Sequence, residues 1–265
     1  MQKKLLMLTG DTDTIQGKQG PFYHTLSTLS QHFSRIDVLT PKISKTPVSQ
    51  LFKQVFLHAS PYSKFFHPRY IYKYGQQLHR EFHYDLMTSH DFGTLYIGWG
   101  AYFLAKKTQI PWISEIHHIP GIPRQATIRD LLDQKWLFYY VRKVCPQVSA
   151  FRVVNQKQVP EVLKSLGIPE SKIRVLYSAY LDLEIFAPEA SVSKCYDLVF
   201  CGRLVPNKGI FLLLKALKQL LSKYPQIQLA MIGEGPLKKS LQKFAEQQHL
   251  SQIFNGWGGS HRLKS

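Results

Sequence analysis

Residues 202–209 combine the residue types that bind phosphate groups. This segment, GRLVPNKG, follows an apolar run with strand character and precedes a run with helical spacing. Arg203 and Lys208 therefore lie five residues apart beside the positive end of the predicted helix. Two cations in that position suit a diphosphate, because they add to the attraction of the helix dipole for anions. A solvated basic turn is the alternative interpretation of the same residues.

Two more glycine segments follow strand-like runs. Residues 17–20 separate the first predicted strand from the first helix, and the GEGP turn at 233–236 follows a later strand. In open parallel sheets, ligands bind beyond the carboxyl ends of the strands, where glycine lets the backbone approach them closely. Each segment is also consistent with an ordinary turn. The candidate glycines of a ligand-binding crevice are Gly20, Gly202, Gly233 and Gly235.

Three histidines stand at the ends of other predicted strands. His90 ends the run YDLMTSH, and His117 and His118 end the run IPWISEIHH. A histidine in a strand-end loop is by default a structural hydrogen-bonding residue, and a catalytic role is the alternative.

The elements that position these residues alternate between strand and helix almost from the start of the chain. Strand-like runs occur at 5–8, 36–39, 86–88, 111–116, 151–154, 173–176, 196–201 and 228–232. Helical spacing occurs at 22–33, 94–107, 159–166, 210–224 and 237–249, and in a long helix with Ile128, Leu131, Leu132, Trp136 and Tyr139 on one face. This alternation predicts an α/β fold with doubly wound parallel sheets.

The alternation is interrupted once, by a polar stretch after Pro188. The sequence therefore predicts an N-terminal domain at 1–188, a linker at 189–195 and a C-terminal domain at 196–265. The C-terminal part has room for three strands and two helices, whereas a doubly wound domain usually has five or six strands. An uncovered sheet edge promotes aggregation, so we expect either a partner that covers it or a chain that is a fragment.

Composition narrows the class of protein. The chain has 265 residues, of which 44% are hydrophobic and 19% charged, which is typical of a globular protein. Its 34 basic and 17 acidic residues give a formal charge of +17, which suggests a nucleotide phosphate, a nucleic acid or an anionic membrane as a partner. Three cysteines without zinc spacing indicate neither a disulfide framework nor a zinc site, so a reducing cytosol is expected. No apolar run reaches the roughly 20 residues of a membrane span.

The segment 51–84 interleaves aromatic and basic residues. Such a mixture is typical of a surface that binds anionic lipid headgroups. Packing of the aromatic residues beneath a long loop is an equally weighted alternative. Stacking on single-stranded nucleic acid ranks low, because the sequence carries no nucleic-acid-binding motif, and no nucleic-acid partner is expected.

The C-terminal motifs carry a family resemblance. CGRLVPNKGIFLLLKAL followed by LAMIGEGPLKKSLQKFA resembles the donor-binding half of retaining GT-B glycosyltransferases of the group 1, GT4-type family. YDLMTSHD, IPWISEIHH and FRVVNQKQVPEVLKSLGIPESKIRVLYSAYLDLEIFAP resemble, in order, segments of the family's N-terminal domain. The resemblance implies two Rossmann-like domains and the transfer of a sugar, with retention, from a nucleotide-sugar donor to a glycan or lipid-linked acceptor.

The resemblance also implies roles for individual residues. Arg203 and Lys208 would hold the donor diphosphate and stabilise the leaving group without a metal ion or further cofactor. Gly20 would let its loop approach the donor. His117 would be the active-site histidine, with His118 as the alternative. The acceptor side would include His90 and His118, and the donor side would include Gly20, Gly202, Gly233 and Gly235. The resemblance further implies a cytoplasmic enzyme of cell-envelope polysaccharide synthesis that lies on the inner membrane surface.

The sequence departs from the family pattern at several positions. Pro21 stands where many members have a second glycine, and Ser178-Ala179 replaces the usual Asn-Gly. The family's E-x7-E element beyond the GEGP turn is missing, so we expect a chain truncated in its donor-binding domain. The alternative to an active transferase is therefore a non-catalytic remnant, or a module that binds a membrane or a nucleotide.

Overall fold

The computed structural model describes residues 3–91, 95–122, 128–177, 187–189, 191, 193–250 and 253–258. The chain divides into two compact units, Met1–Asp182 and Leu183–Ser265. This division does not test the predicted domain limits at 188 and 196, which stay a prediction. The Ser178-Ala179 departure lies outside the described residues.

The first unit is built on one eight-stranded sheet with the strand order β3-β4-β2-β1-β5-β6-β7-β8. Neighbouring strands pair in parallel, except that β3 is antiparallel to β4. The strands are β1 (Lys3–Leu8), β2 (Phe33–Thr40), β3 (Gln50–Leu51), β4 (Val55–Ala59), β5 (Leu86–His90), β6 (Trp112–Ile116), β7 (Ala150–Val153) and β8 (Ile173–Val175). The predicted parallel α/β architecture is confirmed.

Five helices accompany this sheet. They are α1 (Pro21–Ser30), α2 (His67–Phe82), α3 (Tyr96–Thr108), α4 (Ile128–Val144) and α5 (Gln158–Ser165). Alternate residues of β1 enter different cores. Leu5 and Met7 join a cluster that includes Leu26 of α1, whereas Leu6 and Leu8 join another that includes residues of α2 and α3. The central strand is thus buried on both faces, which explains its continuous apolar sequence.

Two segments differ from the sequence prediction. The helix predicted at 22–33 ends at Ser30, and Phe33 already begins β2. The sequence predicted no strand or helix between residues 41 and 85, but this region contains β3, β4 and the 16-residue helix α2. Helix α2 is rich in tyrosine and histidine and contains Gly75, so its intrinsic helix propensity is low. Packing against α3 decides its structure instead.

That packing depends on two glycines. A Cβ atom at Gly75 of α2 would come within 2.5 Å of Leu104, and one at Gly100 of α3 would come within 2.9 Å of Ile71. The two helices therefore approach more closely than larger residues would permit.

Helix α4 confirms the predicted long helix, but its predicted apolar face is exposed. Ile128 is 79% exposed and Leu132 is 61% exposed. The face that contacts the core is a different one, formed by Leu137, Tyr140, Val141 and Val144. Apolar spacing placed the helix correctly, but it did not identify the side that packs on the sheet.

The second unit contains a three-stranded parallel sheet in the order β11-β10-β9. Its elements are β9 (Leu198–Cys201), α6 (Ile210–Leu220), β10 (Leu229–Ile232), α7 (Lys238–Gln247) and β11 (Phe254–Gly258). Within the described part of the chain, the three strands and two helices match the number predicted. Strand β11 falls in a stretch for which the sequence suggested no element.

No helix in the described ranges is both long and apolar enough to cross a membrane.

A buried carboxyl group links α4 to the end of β5. Asp91 is buried, and its Oδ2 atom accepts hydrogen bonds from the hydroxyl groups of Ser114 and Tyr140. Its Oδ1 atom has no hydrogen-bond partner among the described residues. Burial raises the pKa of Asp91 to about 6, against the lowering effect of these hydrogen bonds.

The substitution Asp91→Asn should remove a pH dependence from the free energy of unfolding. The unfolded state releases this proton near pH 4, whereas the folded state keeps it to about pH 6, so wild-type stability falls as the pH rises through this window. The free energy of unfolding of Asp91→Asn, relative to that of wild type, should therefore rise by about 2 kcal/mol between pH 4 and pH 7. Urea unfolding at both pH values measures this gain. Glu161→Gln, on the exposed face of α5, is the control, and an equal gain in that variant would refute the assignment.

Candidate functional site

Three neighbouring strands of the first unit bring charged side chains into register at their carboxyl ends. His90 of β5 is opposite Glu115 of β6, and Glu115 is opposite Arg152 of β7. The parallel arrangement aligns the strand ends, so residues separated by up to 62 positions in the sequence become neighbours. His117 follows two residues after Glu115 and joins the same group.

Glu115 is the centre of this group. Its Oε2 atom lies 3.2 Å from His117 Nε2 and 3.5 Å from His90 Nε2, and it forms an ion pair with Arg152. The Glu115 side chain is only 4% exposed, whereas that of His117 is 41% exposed. Burial tends to raise the pKa of Glu115, but hydrogen bonds from the two histidines and the charges of His90 and Arg152 outweigh it and hold this pKa well below its usual range.

Further contacts fix His90. Its Nδ1 atom lies 2.9 Å from the hydroxyl oxygen of Thr9, at the end of the adjacent strand β1. Phe22 contacts the His90 ring edge to face, at 5.4 Å between ring centroids. The rings of His90 and His117 are 5.6 Å apart. His90 is therefore held from several sides, while His117 remains more accessible.

Both histidines line a cavity of about 430 Å³. Its other walls come from α1, from Arg152 and from Tyr177, and the α1 residues include Pro21, Phe22 and Thr25. The cavity thus combines imidazole and guanidinium groups with a partly apolar helix face. Such a mixture of a few polar groups and apolar walls is typical of a small-molecule site.

Gly20 precedes this cavity as the N-cap residue of α1. It has an extended backbone, and a Cβ atom built on it would meet nothing within 4 Å. Local packing therefore does not require glycine there. Pro21, a departure from the family pattern, occupies the first turn of the helix, where proline is favoured because its missing N–H group has no partner in the helix.

The structure distinguishes between the two adjacent histidines. His117 contacts Glu115 and lines the cavity, whereas the neighbouring His118 is exposed and is not among the residues lining that cavity. Geometry thus favours His117 over His118 as the residue that could meet a ligand there. The catalytic role of His117 itself stays a prediction.

In the second unit, the segments after β9 and β10 lie side by side. Gly202 donates its backbone N–H to the carbonyl of Ile232 at 2.9 Å, and Leu204 donates to the carbonyl of Glu234 at 2.9 Å. A Cβ atom at Gly233 would lie 1.9 Å from the carbonyl oxygen of Gly202. One at Gly235 would lie 2.4 Å from the carbonyl oxygen of Leu204. The two glycines are therefore required by this close backbone contact.

The predicted phosphate-binding cations lie in the first of these segments. Arg203 and Lys208 are both exposed, and neither forms a salt bridge with a carboxylate of the described residues. Gly209 follows Lys208 with a positive φ of 68° and is the N-cap residue of α6. The nearby acid, Glu234, forms its salt bridge with Lys238, at 2.8 Å, rather than with Arg203 or Lys208. Two uncompensated positive charges thus adjoin the positive end of a helix.

Sequence reasoning missed Glu115 and Arg152. The signal for Glu115 was a carboxylate inside an otherwise apolar strand, two residues before the histidine pair. Arg152 offered a similar signal within the apolar run FRVV. Only the strand order shows that the two side chains meet.

Two family models match the chain. The model described as Glycosyltransferase Family 4 matches residues 22–180, which is more than half of the chain. The model described as Glycosyl transferases group 1 matches residues 182–264. The protein therefore belongs to the group 1, family 4 glycosyltransferases.

Individual relatives agree with this assignment. An uncharacterized glycosyltransferase of Methanocaldococcus jannaschii is 26% identical over 207 residues, or 76% of this chain and 53% of the relative, so the chain spans about half the length of this curated relative. The apo form of the lipopolysaccharide outer core galactosyltransferase WaaB superposes with a TM-score of 0.62 at 16% identity, over 97% of this chain and 68% of that protein.

A second solved structure contains a nucleotide. The pneumococcal O-GlcNAc transferase GtfA, in a complex with UDP and GlcNAc, has a TM-score of 0.53 at 16% identity, over 71% of this chain and 37% of GtfA. At these identities, the structural comparisons establish the fold, which is that of GT-B glycosyltransferases.

The substitution Glu115→Gln should destabilise the first unit at pH 7 and less so in acid. It leaves the partly buried Arg152 without its carboxylate, which should cost about 3 kcal/mol. Because the pKa of Glu115 is lowered in the folded state, its contribution is complete above about pH 4.5 and is lost as the pH falls below that value. Urea unfolding at pH 7 and pH 3.5 tests this. A stability difference that is the same at both pH values would contradict it, and Glu161→Gln is again the control.

The substitution Gly233→Ala should unfold or strongly destabilise the second unit, because the added methyl group collides with backbone atoms that cannot move independently. Gly209→Ala is a suitable comparison, since a Cβ atom there meets nothing within 4 Å and the cost is limited to the positive φ. Hydrogen exchange of β9 and β10 amides measures the local effect. Equal protection of these amides in the two variants would contradict a requirement for glycine at 233.

Proposed function

We propose that this protein transfers a sugar, with retention of configuration and without a metal ion, from a nucleotide-diphosphate donor to a glycan or lipid-linked acceptor. The observation that carries the proposal is the pair of exposed cations, Arg203 and Lys208, beside the N-terminus of α6 at the carboxyl end of β9. Family membership supplies the reaction class, and this pair supplies a reason for a phosphate-bearing donor.

The donor chemistry follows from charge. As the bond between sugar and diphosphate breaks, negative charge accumulates on the leaving nucleoside diphosphate. Arg203 can donate two parallel hydrogen bonds to phosphate oxygens, and Lys208 adds a second positive charge. Fixed positive groups at that place would lower the barrier as a metal ion does in other transferases. The UDP bound by GtfA supports a nucleoside diphosphate as the ligand class.

His117 is proposed to act near the transferred sugar or its acceptor. A carboxylate can only accept hydrogen bonds, so the contact with Glu115 places a proton on Nε2 of His117. In the neutral imidazole, Nδ1 is then a hydrogen-bond acceptor for a sugar hydroxyl group. His90 is proposed for the acceptor side, where Glu115 and Thr9 fix its ring.

A membrane-associated acceptor is the favoured variant of this proposal. Phe65 is 93% exposed, and the nearby surface also includes Phe103, Lys106 and Lys107. Aromatic side chains among lysines suit the headgroup region of an anionic bilayer. WaaB is a lipopolysaccharide outer core galactosyltransferase, and this likeness favours a role in cell-envelope polysaccharide synthesis. The proposed location, the cytoplasmic face of the membrane, follows only from the family resemblance of the sequence.

A thermal-shift titration of the whole chain with UDP, GDP and ADP tests the donor site. One nucleotide should raise the unfolding temperature with increasing concentration, since binding to the folded state adds about 2.7 kcal/mol at one hundred times Kd. Arg203→Ala and Lys208→Ala should each abolish most of the shift. The matched control is Lys239→Ala, which removes an exposed cation of α7.

The same titration decides between the two sequence hypotheses. Absence of a shift with all three nucleotides would contradict the donor site and favour a remnant without nucleotide binding. A shift that survives both Arg203→Ala and Lys208→Ala would show that the nucleotide binds elsewhere.

A further inference from the structure

A second cavity in the described residues shares no lining residue with the histidine group. It has a volume of about 790 Å³ and lies between the end of β4, the loop that follows, and one face of α2. This size is within the usual range for small-molecule sites. The residues that matter for its chemistry are His58, Tyr62, Phe66, Arg69, Lys73 and Tyr74.

Aromatic rings form one wall of this cavity. Tyr70 and Tyr74 are stacked at 5.3 Å between ring centroids with an interplanar angle of 13°, and Tyr62 contacts Tyr70 edge to face at 6.5 Å. Tyr62 and Phe66 are both more than half exposed. Rigid aromatic faces of this kind offer apolar contact area at a low entropic cost, which suits the C–H face of a sugar ring.

Uncompensated positive charge forms the rim. Arg69 and Lys73 lie four residues apart on α2, so they occupy the same helix face. Both are exposed, and neither forms a salt bridge with a described carboxylate. The only acid of α2, Glu81, lies two turns beyond Lys73. The lining residues include no carboxylate.

The polar floor of the cavity is already organised. Asp37 is buried and holds His58 Nε2 at 2.8 Å, while it also accepts hydrogen bonds from Arg35 and Tyr84. This contact requires a proton on Nε2, so in the neutral imidazole Nδ1 of His58 accepts a hydrogen bond from the Tyr74 hydroxyl, at 3.1 Å. The oxygen of Tyr74 then remains available to accept a hydrogen bond from a ligand hydroxyl.

We propose that this cavity binds a saccharide that carries a phosphate or carboxylate group. The sugar ring packs on Tyr62 and Phe66, a ring hydroxyl donates to Tyr74, and the anion is bound by Arg69 and Lys73. The inference goes beyond the proposed function and rests on it only for the choice of a saccharide as the ligand. A soluble sugar phosphate and the phosphate-linked headgroup of a lipid carry the same chemistry.

Calorimetric titration of the whole protein with glucose 1-phosphate and with glucose tests the cavity. Glucose 1-phosphate should bind more tightly than glucose. Arg69→Gln and Lys73→Gln should each raise the Kd of glucose 1-phosphate about tenfold, the usual loss for a charge-assisted hydrogen bond. Tyr62→Ala should weaken both ligands, and because this side chain is exposed the variant should fold. Lys157→Gln, an exposed cation before α5, should change nothing.

Further experiments test which unit binds glucose 1-phosphate and whether a lipid headgroup can occupy the cavity. Arg203→Ala should leave binding of glucose 1-phosphate intact, and a loss in that variant would place the anion in the second unit and overturn the proposal. Equal affinity for glucose and glucose 1-phosphate would overturn it too. If a lipid headgroup is the source, glucose 1-phosphate should reduce the sedimentation of the protein with phosphatidylglycerol vesicles, and Arg69→Gln and Lys73→Gln should each remove this effect of glucose 1-phosphate. Vesicle binding that glucose 1-phosphate does not reduce would be assigned to the surface at Phe65, Lys106 and Lys107, and it would exclude a lipid headgroup as the ligand of the cavity.

The outcome is independent of the donor test. Glucose 1-phosphate binding that depends on Arg69, with no nucleotide shift, would retain the cavity and refute the transferase proposal for this chain. A nucleotide shift that depends on Arg203, with no binding of glucose 1-phosphate, would support the transferase proposal and refute the proposed role of the cavity.

Discussion

The carboxylate of Glu115 is the interaction on which the first unit's site depends. It lies at the end of a central strand, between the strands that carry His90 and Arg152. A buried carboxylate is costly unless cations and donors surround it, and here it has both. Because one anion is shared among three partners, it fixes the imidazole orientations, and the parallel strand order makes that sharing possible.

The candidate site of the second unit depends on backbone contacts rather than on a buried charge. Gly233 and Gly235 allow two strand-end segments to pair through their main chains. That pairing sets the loop that carries Arg203 and Lys208 in front of α6. No described carboxylate forms a salt bridge with either cation. Their positive charges therefore remain for an anionic ligand.

Much of the fold followed from the sequence, because apolar periodicity records burial in parallel strands directly. The strands at 5–8 and 111–116 and the helix at 210–224 were found for that reason. Helix α2 was missed, since tyrosines, histidines and Gly75 give it little intrinsic helical character and its stability comes from contact with α3. Local motifs predicted the glycines and the cations of the candidate donor site, and those roles stay predictions, whereas no motif pointed to Glu115 and Arg152. Their pairing depends on strand order, which no local pattern records.

The surroundings of Glu115 and those of the exposed cations suit different kinds of ligand. An anion that entered the cavity of the first unit near His117 would approach the negative charge of Glu115, although Arg152 offsets part of that repulsion. A neutral sugar with many hydroxyl groups suits this environment better, because it needs hydrogen-bond partners rather than charge. Phosphates are better served by cations that form no salt bridge with a carboxylate in the described part of the chain, which are Arg203 and Lys208 and also Arg69 and Lys73. Sugar transfer requires such a division, since the leaving group gains charge while the sugar ring stays uncharged or becomes transiently positive. A buried carboxylate beside His117, and cations elsewhere that form no salt bridge with a described carboxylate, would meet these opposite requirements of the proposed reaction.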